Sequence, residues 1–259
     1  MSRSLLERLS AAHENATMVG WDFSSLDGRL RADEPPWDFE DMCRSAWAGA
    51  GSVLDLGTGG GERLLALLDR TQDQWLCRVD ATEGWAPNVS VARQALAPVG
   101  VNLVEYDSES GQAMPFQAHS FDVVMARHES YDAVDVARVL RPAGRFLTQQ
   151  VHGLDAQELR TWFGGQPGYP EVTLEHHVAA AVAAGLVIDG QGQWHGQMVF
   201  TDAEALVQYL GMVPWDVPDF SVGAHLEKLS ELDTNRPIVV TQRRFWLTAH
   251  KPPRPNGQQ

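Results

Sequence analysis

Four positions at alternate spacing carry the first chemistry in this chain. Asp55, Gly57, Gly59 and Gly61 stand in the stretch Val53-Leu54-Asp55-Leu56-Gly57-Thr58-Gly59-Gly60-Gly61-Glu62. Glycines lack a Cβ, so the backbone can bend sharply there and approach a ligand closely. The acid beside them suits a ligand with a positive ammonium or sulfonium centre. A second acid, Glu83, follows Gly61 by 22 positions. An acidic side chain about 20 residues past a glycine turn can accept bonds from both ribose hydroxyls. A third group is Arg127-His128-Glu129-Ser130. His128 is a candidate general base for an O–H or N–H nucleophile, because an unperturbed imidazole titrates near neutrality. Glu129 could orient or substitute for it. A structural role for His128 stands beside the catalytic one.

These groups need elements to hold them. Val53, Leu54 and Leu56 read as a buried parallel strand, and Glu62–Leu68 resumes at helical spacing. Strand, glycine turn and helix open a βαβ unit, whose ligands bind beyond the carboxyl ends of its strands. The dinucleotide fingerprint would need a glycine at position 62, where Glu62 would repel a pyrophosphate, and no Gly-Lys-Ser/Thr follows to make a phosphate loop. The segment Asp55-Leu56-Gly57-Thr58-Gly59-Gly60-Gly61 resembles motif I of the class I S-adenosylmethionine-dependent methyltransferases. Ser120-Phe121-Asp122-Val123-Val124 resembles the family's Phe-Asp-Val-Val strand. Val139-Leu140-Arg141-Pro142-Ala143-Gly144 resembles its Leu-Lys-Pro-Gly-Gly turn, with Ala143 replacing one glycine. The likeness runs from about Ala50 to His152.

The resemblance implies an α/β, Rossmann-like domain with a seven-stranded, mostly parallel sheet of order 3-2-1-4-5-7-6 and helices on both faces. It implies S-adenosyl-L-methionine as cofactor and S-adenosyl-L-homocysteine as product. Carried over by position, Asp55, Gly57, Thr58 and Gly59 would hold the methionyl end and Glu83 the ribose. Asp107 and Ser108 would meet the adenine, with Glu109 as a rival acid. Ala126 and Arg127 would line the methyl end. The DNA and protein amino-methyltransferases carry Asn/Asp-Pro-Pro-Tyr where this chain has Arg127-His128-Glu129-Ser130, which argues against that substrate class.

In chain order, residues 1–48 read as a helical lid, 49–152 as the cofactor-binding core, 153–250 as a half carrying substrate-lid insertions, and 251–259 as a frayed tail, all within one domain. Helices are expected at Ser4–Leu9, Phe39–Trp47, Pro87–Leu96, Asp132–Leu140, Thr173–Leu186 and Asp202–Leu210. After the first strand, further strands are expected at Gln74–Ala81, Val101–Tyr106, Ser120–Ala126, Arg145–Val151, Val187–Phe200 and Arg244–His250. The aromatic–acid clusters at Trp21 and Trp37 read equally as packing or as a lid that excludes water. Trp215, in a Pro-Trp-Asp loop, reads as a hydrophobic plug or a substrate wall. Trp21, Gln150 and Trp215 are the candidate substrate contacts. His176-His177 lacks metal-ligand partner spacing and reads as helix surface, so no metal is expected.

Composition narrows the function. The 259 residues are 44% hydrophobic and 21% charged, as in ordinary globular proteins. Two cysteines, Cys43 and Cys77, offer no disulfide framework, no apolar run approaches membrane-span length and Met1–Met18 lacks a signal-peptide core. A cytoplasmic setting is the default expectation. The net charge of −14 argues against broad phosphate-backbone binding. The reading is a methyltransferase for a small-molecule O or N acceptor. An RNA methyltransferase and a non-catalytic S-adenosylmethionine-binding scaffold are the alternatives.

Overall fold

The computed structural model describes residues 4–18, 23–69 and 77–254. In chain order its elements are α1 (Leu5–Glu14), β1 (Leu30–Ala32), α2 (Phe39–Trp47), β2 (Ser52–Leu56), α3 (Glu62–Asp69), β3 (Arg78–Glu83), α4 (Ala86–Leu96), β4 (Asn102–Glu105), β5 (Phe121–Arg127), α5 (Ala133–Val139) and β6 (Leu140–Val151). There follow α6 (Gln157–Phe163), α7 (Leu174–Ala183), β7 (Val187–Phe200), α8 (Ala203–Met212), α9 (Leu226–Thr234) and β8 (Ile238–His250). Short polar side chains start several helices by accepting an orphan N–H: Ser4 with Glu7 forms a capping box on α1, and Asp38, Asp132, Thr173 and Asp202 cap α2, α5, α7 and α8.

The strands form one mixed sheet of order β1-β7-β8-β6-β5-β2-β3-β4. Strands β2 to β6 run parallel, with β2 between β3 and β5. The expected seven-stranded sheet is corrected to eight. Leu30–Ala32, too short to show a periodicity, pairs antiparallel with Phe200–Met198 and adds an edge strand. Strand β8 also starts earlier than expected, because Ile238 and Val240 alternate inward ahead of Arg244.

The chain divides into two compact units. One comprises residues 1–36, 152–171 and 194–244; the other comprises 37–151, 172–193 and 245–259. Strands β7 and β8 each pass from one unit to the other. The first unit has its own core, built on Leu9, Leu159, Phe163, Phe200, Leu206, Leu229 and Val240. Within it α1 lies so close to α8 that a Cβ on Gly211 would sit 2.6 Å from the His13 carbonyl.

The second unit buries apolar groups on both sides of its parallel strands. Val53, Leu64, Val79, Val123 and Leu147 join α2, α3 and α4 on one side, and Leu54, Val124, Phe146, Val136 and Ala181 join α5 and α7 on the other. Asp122 of the Phe-Asp-Val-Val strand works at the far end from the glycine turn. It accepts from Gly51 N–H, Ser52 Oγ and Arg141 Nη1 at 2.9, 3.0 and 2.7 Å. Burial alone would raise its pKa, yet these donors hold it below the usual value. The Arg141–Gly144 segment lies within β6, with Ala143 at φ 64° where the family has glycine. The tail is corrected at its start: Lys251 N–H donates to the Gly144 carbonyl at 2.9 Å, and its ammonium meets the Leu140 carbonyl at 3.0 Å.

Candidate active site

In the second unit the carboxyl ends of β2, β3, β4 and β5 bring together most of the residues singled out from sequence. The turn after β2 is left-handed at Gly57, Gly59 and Gly61, with φ of 63°, 64° and 91°, a region open to glycine at little cost. Strand β3 staples this turn. Thr82 accepts Thr58 N–H on its carbonyl at 2.8 Å and Gly57 N–H on its hydroxyl at 3.2 Å, and Glu83 accepts Gly59 N–H at 2.7 Å. The other Glu83 oxygen takes the Trp85 N–H at 2.8 Å. The acid expected to meet a ribose therefore also holds the loop. Burial pushes its pKa up, against these backbone donors.

Asp55 ends β2. Burial foremost, then the Glu83 charge, pushes its carboxyl up to about 7, while Thr58 and Arg127 oppose the shift. The Thr58 hydroxyl is buried beside Asp55 and opposes that shift through its side-chain hydrogen bond.

Glu129 follows β5 and lies across the turn: a Cβ built on Gly57 would collide with its Cγ, Cδ and Oε2. Its Oε1 accepts the Ser108 hydroxyl at 2.7 Å. Its carboxyl is pushed up to about 7, chiefly by burial and further by Glu83, Glu109 and Asp107, with the Ser108 bond opposing. Gln150 is buried and donates to the Glu129 carbonyl at 2.9 Å and to Thr148 Oγ1 at 2.7 Å, so it buttresses the segment. A narrow hollow beside Glu129 is lined by Leu56, Thr82, Tyr106, Ser108, Met114 and Tyr131 among others.

His128 is exposed and held at φ 57°, with its N–H donated to the Gln149 carbonyl at 2.8 Å. The Gln149 side-chain oxygen accepts the Trp37 indole at 2.6 Å, so its NH₂ faces His128 Nε2 at 3.1 Å. That nitrogen is thereby an acceptor and the proton sits on Nδ1. Trp37 thus packs on β6 within this unit. Ala126 is fully buried in the core, and Arg127 reaches the Glu40 carboxylate on α2 at 3.3 Å. Asp107 caps its own turn through Glu109 N–H at 2.9 Å, and both acids are exposed. Trp215 belongs to the first compact unit and is 45% exposed; Trp21 lies outside the described residues.

Several participants escaped the sequence reading. Gly84 is required because a Cβ there would stand 2.6 Å from Asp107 Cα and 2.7 Å from the Tyr106 carbonyl. Trp85 leaves its ring 45% exposed directly after it. A glycine and an aromatic just beyond the strand-ending acid were the available signal. His177 is corrected from helix surface to a half-buried partner of Tyr131, whose hydroxyl lies 2.6 Å from its Nδ1. Burial first, then the neighbouring His176, lowers the His177 pKa to about 4. Among the described residues no group of three or more His, Cys, Asp and Glu could hold a metal. Nor is any described helix long and apolar enough to cross a membrane.

Comparison with known proteins falls on the same segment. Residues 54–151 match the family Methyltransf_11, a methyltransferase domain. An uncharacterized methyltransferase of Bacillus subtilis, YcgJ, is 34% identical over 102 residues, which is 37% of this chain and 38% of that protein. The alignment thus spans well under half of this curated relative. In three dimensions the YcgJ crystal structure matches with a TM-score of 0.56 at 18% identity, over 83% of this chain and 98% of that one. The [4+2]-cyclase SpnF matches with a TM-score of 0.52 at 15% identity, over 95% and 92%. At those identities the two structures speak for the fold alone. Motif, loop geometry and family match fall on one segment: residues 54–151 are similar to a methyltransferase domain.

Proposed function

We propose that the protein transfers a methyl group from S-adenosylmethionine to an O or N atom of a small molecule. The observation that carries this reading is the glycine turn tied to Glu83 through Gly59, with Asp55 and the buried Thr58 hydroxyl beside it. Gly57, Gly59, Thr58 and Asp55 would hold the methionyl end and Glu83 the ribose. Ser108 and Asp107 or Glu109 would meet the adenine, against which the exposed Trp85 ring offers a stacking face. Carboxylates crowded at one turn suit a donor with an ammonium and a sulfonium better than a nucleoside phosphate. When bound, that sulfonium supplies an electrophilic methyl group.

The chain's own groups would then align and desolvate the acceptor, which can supply most of the rate enhancement for such a transfer. Trp37 and Gln149 fix His128, whose Nε2 takes up an acceptor's proton only if the Gln149 amide releases it. Within the second unit Gln150 is assigned to acceptor binding. The net charge of −14 favours a small molecule over RNA. A second reading, binding without methyl transfer, has one support: a [4+2]-cyclase, SpnF, shares the fold, so the fold alone does not imply transfer.

Calorimetric titration with S-adenosylmethionine and S-adenosylhomocysteine tests the proposal. Saturable binding, weakened by about 1–3 kcal/mol in Glu83→Ala, is expected, followed by label transfer from methyl-tritiated donor to a small acceptor in a screen. Absence of binding would overturn it; binding with no transfer to any acceptor class would favour the second reading.

A further inference from the structure

The unusual member of the site is Glu129. It stands outside the glycine motif, yet its carboxyl lies so close to Gly57 that a Cβ there would collide with it. It is not loosely placed. The Ser108 hydroxyl holds one oxygen at 2.7 Å, and Gln150 holds the backbone of the same residue at 2.9 Å. The preceding His128 takes a left-handed conformation to deliver it. Building on the proposed methyltransferase function, we infer that Glu129 is a specificity-determining residue, whose carboxylate distinguishes the cationic sulfonium of the donor from the neutral thioether of the product.

The charges around Glu129 make this discrimination pH-dependent. Glu83 faces it from β3, and Tyr106, Asp107, Ser108 and Glu109 face it from the end of β4 and the turn beyond. Asp55 ends β2 two residues before Gly57, with the Arg127 cation nearby. Apart from Arg127 and the adjoining His128, the ionisable groups named are acids, so the pocket disfavours another negative charge until a cation arrives. With its carboxyl at about 7, Glu129 is half protonated near neutrality. A sulfonium binds the ionised form better, so donor binding tightens as pH rises from 6 to 8 and releases a proton. Donor and product share the ammonium that Asp55 would sense. That contribution cancels in the ratio of their affinities and leaves the Glu129 part.

The test is calorimetry of wild type, Glu129→Gln and Glu129→Asp with S-adenosylmethionine and S-adenosylhomocysteine, at pH 6, 7 and 8 in two buffers of different ionisation enthalpy. In wild type the preference for donor over product should grow about tenfold across this range, with proton release on donor binding. In Glu129→Gln the preference should stay flat with pH and the proton release should shrink; Glu129→Asp should restore part of both. A Glu129→Gln variant that binds donor with an unchanged pH profile overturns the inference while leaving the methyltransferase reading intact. Wild type that binds neither compound overturns both. Thermal melts of each variant separate lost recognition from lost folding.

Discussion

Glu83 and Gly59 are joined by a 2.7 Å hydrogen bond from loop amide to carboxylate, so the acid that ends β3 shapes the turn that follows β2. With Trp85 N–H on the other oxygen, the two ends of that carboxylate bridge the crevice floor. A carboxylate can accept at both oxygens; a carboxamide cannot. Glu83→Gln should leave one buried N–H unpaired and lower stability by about 1–3 kcal/mol. Urea denaturation measures it, and an unchanged midpoint would mean the bridge contributes nothing to folding.

Gly57→Ala should do more local damage. Alanine at φ 63° costs roughly 1–2 kcal/mol by backbone sterics alone, and its methyl group would drive Glu129 off Ser108. The expected result is a modestly destabilised protein whose donor affinity falls at least tenfold. A crystal structure of the variant would show whether Glu129 has moved.

Gly84→Ala tests a contact between backbones rather than side chains. The added methyl would meet Asp107 Cα and the Tyr106 carbonyl, and neither can rotate away. The ends of β3 and β4 must part, stretching the 3.1 Å bond from Tyr106 N–H to the Glu83 carbonyl. A loss of about 1–3 kcal/mol follows, and hydrogen exchange at Tyr106 should accelerate. Protection equal to wild type would contradict this account.

These residues show what the sequence disclosed and what it withheld. Asp55, the three glycines and Glu83 were legible because a strand–turn–helix start and a fixed distance to the second strand's end are local patterns. Gly84 looked like any turn glycine, since its reason lies in Asp107, 23 positions away. His177 read as helix surface because its partner, Tyr131, lies on a different element. Strand β1 could not be read at all: three residues show no period, and only pairing with β7 defines them. The motifs named the Glu129 segment, but its place over Gly57 depends on the adjacency of β2 and β5.

Stability of the ligand-free protein should depend on pH through the same acids. Asp55 and Glu129 rise from ordinary values of 3.8 and 4.5 to about 7. Between about pH 4 and 7 the folded chain keeps protons that the unfolded chain has released. Their contribution to stability is therefore present at the acid end and lost as pH rises through about 7. Glu129→Gln should flatten this fall, with each kcal/mol appearing as about 2–4 °C in Tm. Melting curves from pH 5 to 8 check it, and parallel profiles for variant and wild type would refute it.

The Tyr131–His177 pair predicts an opposite slope. With its pKa lowered from 6.5 to about 4, His177 stays neutral in the folded chain, and its Nδ1 lies 2.6 Å from the Tyr131 hydroxyl. That contribution is complete above pH 6.5 and is lost as pH falls toward 4, where the unfolded imidazole gains a proton that the folded one refuses. Tyr131→Phe removes the hydroxyl and leaves Nδ1 half-buried without it, at a cost of about 1–3 kcal/mol. Because Tyr131 also lines the hollow beside Glu129, donor binding should weaken too, but by less than in Gly57→Ala. Titration of the His177 ring protons by NMR decides the point: in wild type they should stay unshifted down to about pH 5. A midpoint near 6.5 would show that burial beside His176 does not hold the imidazole neutral.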